Sequence, residues 1–312
     1  MTVVYVSPQQ WQILLPTGSL VGAGSDVNIV NITGLRDLSA LRSGDQPRAQ
    51  SDGMYAGLNL LGSRTVQIVW DVTLATGGVE SALQILAAGY QNIGDPASVC
   101  MTAGDWLRQN AGIGTIKPVS MLQIQLPGRT YPLYLFGRPT KYSPPIDLNY
   151  QYGKVQIATE WTSSDGVIYD GHVVSGTAGL PSPTSGMAWP ASFPWTFGSS
   201  SGGSFSLNNT GKYAAKPFFV INGPISYPVL TNTNTGAFMA LDIPLAAGDV
   251  LTVDHQAGVV TYNGANRNNV VRVGSSFFPC NPGNTTIQIT SGDSVSVSGT
   301  ATGYLLPTYS AV

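Results

Sequence analysis

Two histidines, two cysteines and sixteen carboxylates are what this 312-residue chain offers to metal or acid–base chemistry. Their spacing assembles little of it. His172 and His255 have no second His, Cys or carboxylate at ligand spacing beyond Asp254 beside His255, so no metal site is expected. Gly198-Ser199-Ser200-Ser201-Gly202 spells G-x-S-x-G, but a nucleophile elbow needs a strand before it and a helix after it, and this string lies in a Gly/Ser tract. Glu160, Asp165 and Asp170 come nearest to an acid–base pair, yet Gly166 and the preceding Thr162-Ser163-Ser164 read as a turn whose carboxylates are merely solvated. Gly22-Ala23-Gly24 lacks the third glycine and the following helix of a dinucleotide fingerprint. Cys100 and Cys280 read as two buried thiols of a reducing compartment, with neither metal-ligand spacing nor a disulfide framework. The chain reads as a protein without an active site: no enzyme, no cofactor, no metal.

The polar residues that do invite a role are clustered and of mixed sign. Between Arg36 and Asp52 lie Arg36, Asp37, Arg42, Asp45, Arg48 and Asp52, interrupted by Gly44 and Pro47, which reads as a long loop. Arginine binds carboxylates bidentately, so Arg36, Arg42, Asp45, Arg48, Asp52 and, further on, Arg64 are the candidates for contacts between subunits. Composition gives such contacts a reason. Only 10% of residues are charged, against roughly a quarter in ordinary soluble domains, while 43% are hydrophobic. A surface so poor in charge is expected to be hidden in partners. With a net charge of −2 and no Lys/Arg cluster, nothing attracts nucleic acid or anionic lipid. No apolar run is long enough to span a membrane, and the opening Met1–Gln12 lacks the character of a signal peptide, so synthesis and retention in the cytosol are expected.

The elements that must carry these residues are mainly β. Residues 176–206 are dense in Pro, Gly and Ser without apolar periodicity and read as a linker, with Trp189, Phe193, Trp195 and Phe197 expected to dock on a domain or a neighbouring subunit. The linker cuts the chain into domains 1–175 and 207–312. In the first, Val66, Ile68, Trp70, Val72 and Leu74 alternate along one face of a strand from Arg64 to Leu74, and Lys154–Trp161 alternates likewise. Val79, Leu83, Leu86, Ala87 and Tyr90 fall at helical spacing behind Gly77-Gly78, with Glu80 in the first turn. A shorter helix is expected from Asp105, with Leu107 buried and Gly112 ending it. In the second domain, short apolar runs at 217–222, 238–243, 250–254, 259–262, 270–273, 285–290 and 294–298 are separated by turn residues, the pattern of an antiparallel sandwich needing no helix.

The chain resembles the distal tail proteins (Dit) of long-tailed phages, a siphovirus-type minor tail protein family, in the order and spacing of particular residues. The first half has Gly34-Leu35, the charged stretch from Arg42 to Arg48, Asp52-Gly53, Gly57 and Arg64-Thr65-Val66. The second has Asn209-Thr210-Gly211, Pro217, Ile221-Asn222-Gly223-Pro224, Asn232 with Thr235-Gly236, the run from Gly248 to Asp254, Gly274–Phe278 and Pro282–Thr286. The resemblance implies a tail-tube-like β-sandwich or split barrel with one principal helix, then a galectin-like antiparallel β-sandwich. It also implies a homohexameric ring at the distal end of the tail, assembled in the host cytoplasm. The ring would join the tail tube protein to the tail hub or Tal protein, with receptor-binding or side-fibre proteins beyond, and would leave a channel for DNA. The competing expectation is a carbohydrate-binding receptor module, against which the absence of Trp from 207–312 counts.

Overall fold

The computed structural model describes residues 8–48, 52, 54–55, 57, 59–73, 78–91, 101–113, 120–180, 203–292 and 298–311. The chain forms two compact units: one of 1–102, 117–172 and 308–312, the other of 103–116 and 173–307.

The first unit is an antiparallel sheet with a helix packed on its core. Its strands are β1 (Gln12–Leu14), β2 (Leu20–Gly22), β3 (Val27–Thr33), β8 (Arg64–Thr73), β9 (Met121–Gln125), β10 (Leu133–Ser143) and β11 (Lys154–Ser163), in the order β2-β1-β9-β10-β11-β8-β3. Four short strands, β4 (Leu41–Ser43), β5 (Gln46–Pro47), β6 (Met54–Tyr55) and β7 (Asn59–Leu61), lie outside it. The alternation read in β8 is the burial observed: Val66, Ile68, Trp70 and Val72 are wholly buried, and Leu74 lies outside the described residues. Its partner β11 buries Val155, Ile157, Thr159 and Trp161 in the register Arg64↔Ser163 to Thr73↔Lys154. Thr159 is the polar member of that row. It is satisfied because its Oγ1 accepts from Trp70 Nε1 at 2.8 Å and donates to the Ile68 carbonyl.

Helix α1 (Val79–Gln91) buries Ala82, Leu83, Leu86 and Tyr90, and Tyr142 of β10 donates to its Leu83 carbonyl. A second helix, α2 (Ala103–Asn110), belongs to the other unit, and a single turn, α3 (Leu148–Gln151), precedes β11. Strand β12 (Ile168–Asp170) pairs with β10 and with the far segment Thr308–Tyr309.

The second unit is a sandwich. One sheet orders β13 (Val174–Gly179), β24 (Thr300–Leu305), β15 (Phe218–Asn222), β20 (Val250–Asp254), β21 (Val259–Tyr262) and β22 (Ala265–Asn266). The facing sheet orders β14 (Ser204–Asn209), β23 (Gly283–Thr290), β17 (Val229–Asn232) and β18 (Phe238–Ala240), while β16 (Ile225–Ser226) pairs with β19 (Pro244–Leu245). Between the sheets pack Phe205, Leu207, Phe219, Leu251, Val253, Ile287 and Ile289. Ala301 and Gly303 keep β24 thin there, since a Cβ on Gly303 would stand 2.6 Å from the Phe205 ring.

Several expectations change. Residues 176–179 and 204–206, read as linker, are strand; Gly176 is there because Phe205 packs where its side chain would be. The remainder, 181–202, with its four aromatics and the G-x-S-x-G string, lies outside the described residues, as do Cys100 and the run at 294–297. The sandwich does hold a helix: Ala103, Gly104, Trp106 and Leu107 of α2 are buried, and Arg108 stacks on Phe218. Residues 270–273 are no strand but the end of a 3-10 turn at Asn268–Val270, followed by a single bridge at Val271, with Val273 98% exposed.

Candidate functional site

Among the described residues, the candidates for metal or acid–base chemistry sit in separate local environments. His255 is buried, its Nδ1 2.9 Å from the Phe278 carbonyl and its ring among Phe219, Phe277 and Phe278. Burial and nearby Lys216 lower its pKa to about 4. Asp254 accepts the Gln256 and Ala257 amides at 2.9 Å, closing the β20–β21 turn. His172 stacks on Tyr131. Glu160 pairs with Lys141, Asp165 accepts from Ser163 and Tyr169, and Asp170 accepts from Arg129. The three carboxylates therefore answer three separate local needs. Cys280 is a buried free thiol with its pKa pushed up to about 12 by desolvation. Gly22, the last residue of β2, and Gly24 just beyond it occupy positive-φ positions, and the chain leads on to β3, not to a helix.

The mixed-charge segment has a form that the sequence did not disclose. What reads as a loop from Arg36 to Asp52 is half of a two-stranded arm: β4 pairs with β7 (Leu41↔Leu61, Ser43↔Asn59) and β5 with β6 (Gln46↔Tyr55, Pro47↔Met54). Gly44 and Gly57 cross so closely between the two pairs that a side chain at Gly57 would collide with the Gly44 backbone. Runs of only two or three residues leave no periodicity to read. Met54-Tyr55 and Asn59-Leu60-Leu61, set between glycines, were the available signal.

The six candidate residues divide. Arg36, Arg42, Asp45, Arg48 and Asp52 are exposed. Arg48 lies over the Tyr55 ring at 5.3 Å, and Asp45 accepts the Gly57 amide at 2.7 Å across the arm. Arg64, expected at the subunit surface, is instead 2% exposed. Its guanidinium donates to the carbonyls of Gly34 (2.6 Å), Leu35, Asp37 (2.8 Å), Gly166 and Ser310. Desolvation lowers its pKa, against the pull of Asp37. It works as the internal clamp at the arm's root. Sequence reasoning also missed exposed hydrophobic side chains here: Leu38 before the arm and Leu41, Met54, Tyr55 and Leu60 on it are 52–65% exposed, and the register divides the arm's four between its two faces.

The opposite face of the β8–β11 pair is polar and nearly neutral. Thr65 and Thr140 each meet Thr162 (3.3 and 3.1 Å), Thr73 donates to Asp71, and Lys141 stands 3.6 Å from Glu160.

Comparison with known proteins gives this geometry a context. The family described as "Siphovirus-type tail component, C-terminal domain" matches residues 210–302. Comparison with curated proteins finds no match. The crystal structure of the Dit (gp 19.1) protein of phage SPP1, described as a paradigm of the hub adsorption apparatus in phages infecting Gram-positive hosts, aligns with a TM-score of 0.58 at 11% identity. That alignment covers 94% of this chain and 97% of the other. The phage P2 baseplate in its activated conformation with Ca aligns with a TM-score of 0.45 at 10% identity, over 95% and 97% of the two chains. Residues 210–302 are thus similar to the C-terminal domain of the siphovirus-type tail components, and the fold is shared over 94% of the chain with the SPP1 Dit protein.

Proposed function

We propose that this chain is the distal tail protein of a long-tailed phage, a structural virion component that forms a homohexameric ring. The ring joins the tail tube protein to the tail hub (Tal) protein, carries receptor-binding or side-fibre proteins further out, and leaves an axial channel for DNA. The observation that carries this reading is the SPP1 Dit fold over 94% of the chain, joined to the family match at 210–302. The role asks for no catalysis. The weakly charged, hydroxyl-rich face of β8 and β11 suits a conduit, since a basic wall would retain phosphates. The carbohydrate-binding alternative is not favoured, because the matched family is a tail component and the aligned SPP1 protein belongs to a hub adsorption apparatus. Electron microscopy and native mass spectrometry of the full chain test the ring. Arg42→Glu with Arg48→Glu, both exposed on the arm, should shift rings to monomers without changing the melting temperature. A monomeric wild-type chain would sink the reading.

A further inference from the structure

The sequence holds two Asn-Gly pairs, Asn222-Gly223 and Asn263-Gly264. This dipeptide is chemically labile. The glycine nitrogen, hindered by no side chain of its own, loses its proton to base and attacks the asparagine Cγ; ammonia leaves, and water opens the cyclic imide to aspartate or isoaspartate. The fold requires both glycines. Asn263 and Gly264 form the two-residue loop between β21 and β22, closed by Tyr262↔Ala265, and both have positive φ (45° and 84°), as a tight hairpin turn demands. At Gly223 a Cβ would stand 2.1 Å from the Ala246 carbonyl oxygen. Protection against imide formation therefore falls to the groups that hold the reacting atoms.

Both pairs converge on one residue. In the order β15-β20-β21-β22, Asn222 lies opposite Val250 at the start of β20, and Asn263 follows Tyr262, the partner of Leu251. Asp249 sits between the two pairs. Its backbone carbonyl accepts the Gly223 amide at 3.0 Å, which commits the nucleophile of the first pair. Its carboxylate holds the electrophile of the second: Asp249 Oδ1 accepts from Asn263 Nδ2 at 2.9 Å, while Asn263 Oδ1 accepts the Val250 amide at 2.9 Å. These bonds turn the Asn263 side chain toward β20, whereas Gly264 leads the chain to β22 on the other side of β21. The carboxylate is itself fixed, its Oδ2 accepting from the Tyr262 hydroxyl and the Ala246 amide, each at 2.8 Å. The same three donors, Asn263 first, lower its pKa.

We propose that Asn263 is a latent deamidation site and that Asp249 is the positioning residue that keeps it from closing to the imide, its backbone carbonyl doing the same for Asn222. Failure at Asn263 propagates, because the new carboxylate faces Asp249 and like charges repel. The inference concerns the chain's chemical lifetime and does not depend on the ring. The test is peptide mapping by mass spectrometry of the full chain, aged in warm alkaline buffer folded and in urea. In the folded wild type both pairs should deamidate more slowly than in urea by about 10-fold or more, the factor that one charge-assisted hydrogen bond supplies. Asp249→Ala should speed Asn263 by about 10-fold and leave Asn222 slow, because the carbonyl at 249 remains. Loss of structure would instead release the two sites together. Should that variant fail to fold, Tyr262→Phe removes only the hydroxyl that steadies the carboxylate, and it should raise the rate at Asn263 alone. A folded wild type that deamidates at Asn263 as fast as the unfolded chain overturns the proposal, as does a folded Asp249→Ala or Tyr262→Phe chain whose Asn263 reacts no faster than the wild type's.

Discussion

The Arg64 guanidinium supplies donors to five backbone carbonyls drawn from residues 34–37, 166 and 310, a task for a planar fork that an ammonium with three donors does not match. Arg64→Lys should therefore lower unfolding stability by about 3 kcal/mol or more, read from the denaturant midpoint, because buried carbonyls are left without donors. An undiminished midpoint would mean that the arm's root holds without it. In the sequence Arg64 is a cation at the start of a strand, and nothing local says that three distant segments will close over it. Burial of a charged group is set by long-range return of the chain, to which periodicity is blind. His255 gives the second residue-scale test. Its folded pKa of about 4 lies below the ordinary 6.5, so the unfolded chain takes up the proton first. The stability due to neutral His255 is complete above pH 6.5, falls by up to about 1.4 kcal/mol per pH unit as pH drops toward 4, and is then lost. Asp254, whose pKa burial raises, contributes with opposite sign at the acid end, so the comparison needed is with His255→Gln. That variant should show a flatter pH–stability curve between 6.5 and 4; an identical slope would assign the acid sensitivity to other groups.

Helix α2 shows what an element's sequence says and what it withholds. Its helical spacing and its end at Gly112, a positive-φ residue whose amide returns to Gln109, were legible; its destination, against the sandwich, was not. That destination is written in one glycine. A Cβ on Gly104 would collide with the Asp254 carboxylate, and Arg108 completes the docking on Phe218. Gly104→Ala, which in a free helix stabilises by about 1 kcal/mol, should here destabilise, seen as a lower melting temperature. A rise in melting temperature would show that the helix is not seated against Asp254. Long strands with one apolar face, β8 and β11, were readable almost residue by residue because burial on one side imposes a period of two. The arm strands were not, since runs of two or three residues are too short to show a period; nor was β13, where Gly176 passes for flexibility although Phe205 fills its place.

At the scale of the whole chain, the two units are interleaved in sequence: α2 leaves the first half for the sandwich, and residues 308–312 return from beyond the sandwich to the first unit. Thr308 and Tyr309 pair with Tyr169 and Ile168, Tyr309 lies under Arg129, and the Ser310 carbonyl takes Arg64. Deleting residues 308–312 should therefore loosen β8, β11 and β12 and leave the sandwich protected. Hydrogen exchange followed by mass spectrometry reads this directly, and faster exchange in the sandwich with unchanged β8 would refute it. The same connection orders events during translation. A ribosome that has delivered residues 1–172 has delivered a clamp without its last acceptor and a β12 without its outer partner. The earlier part of the chain completes its fold only after the later part has emerged, so newly made subunits mature one finished polypeptide at a time.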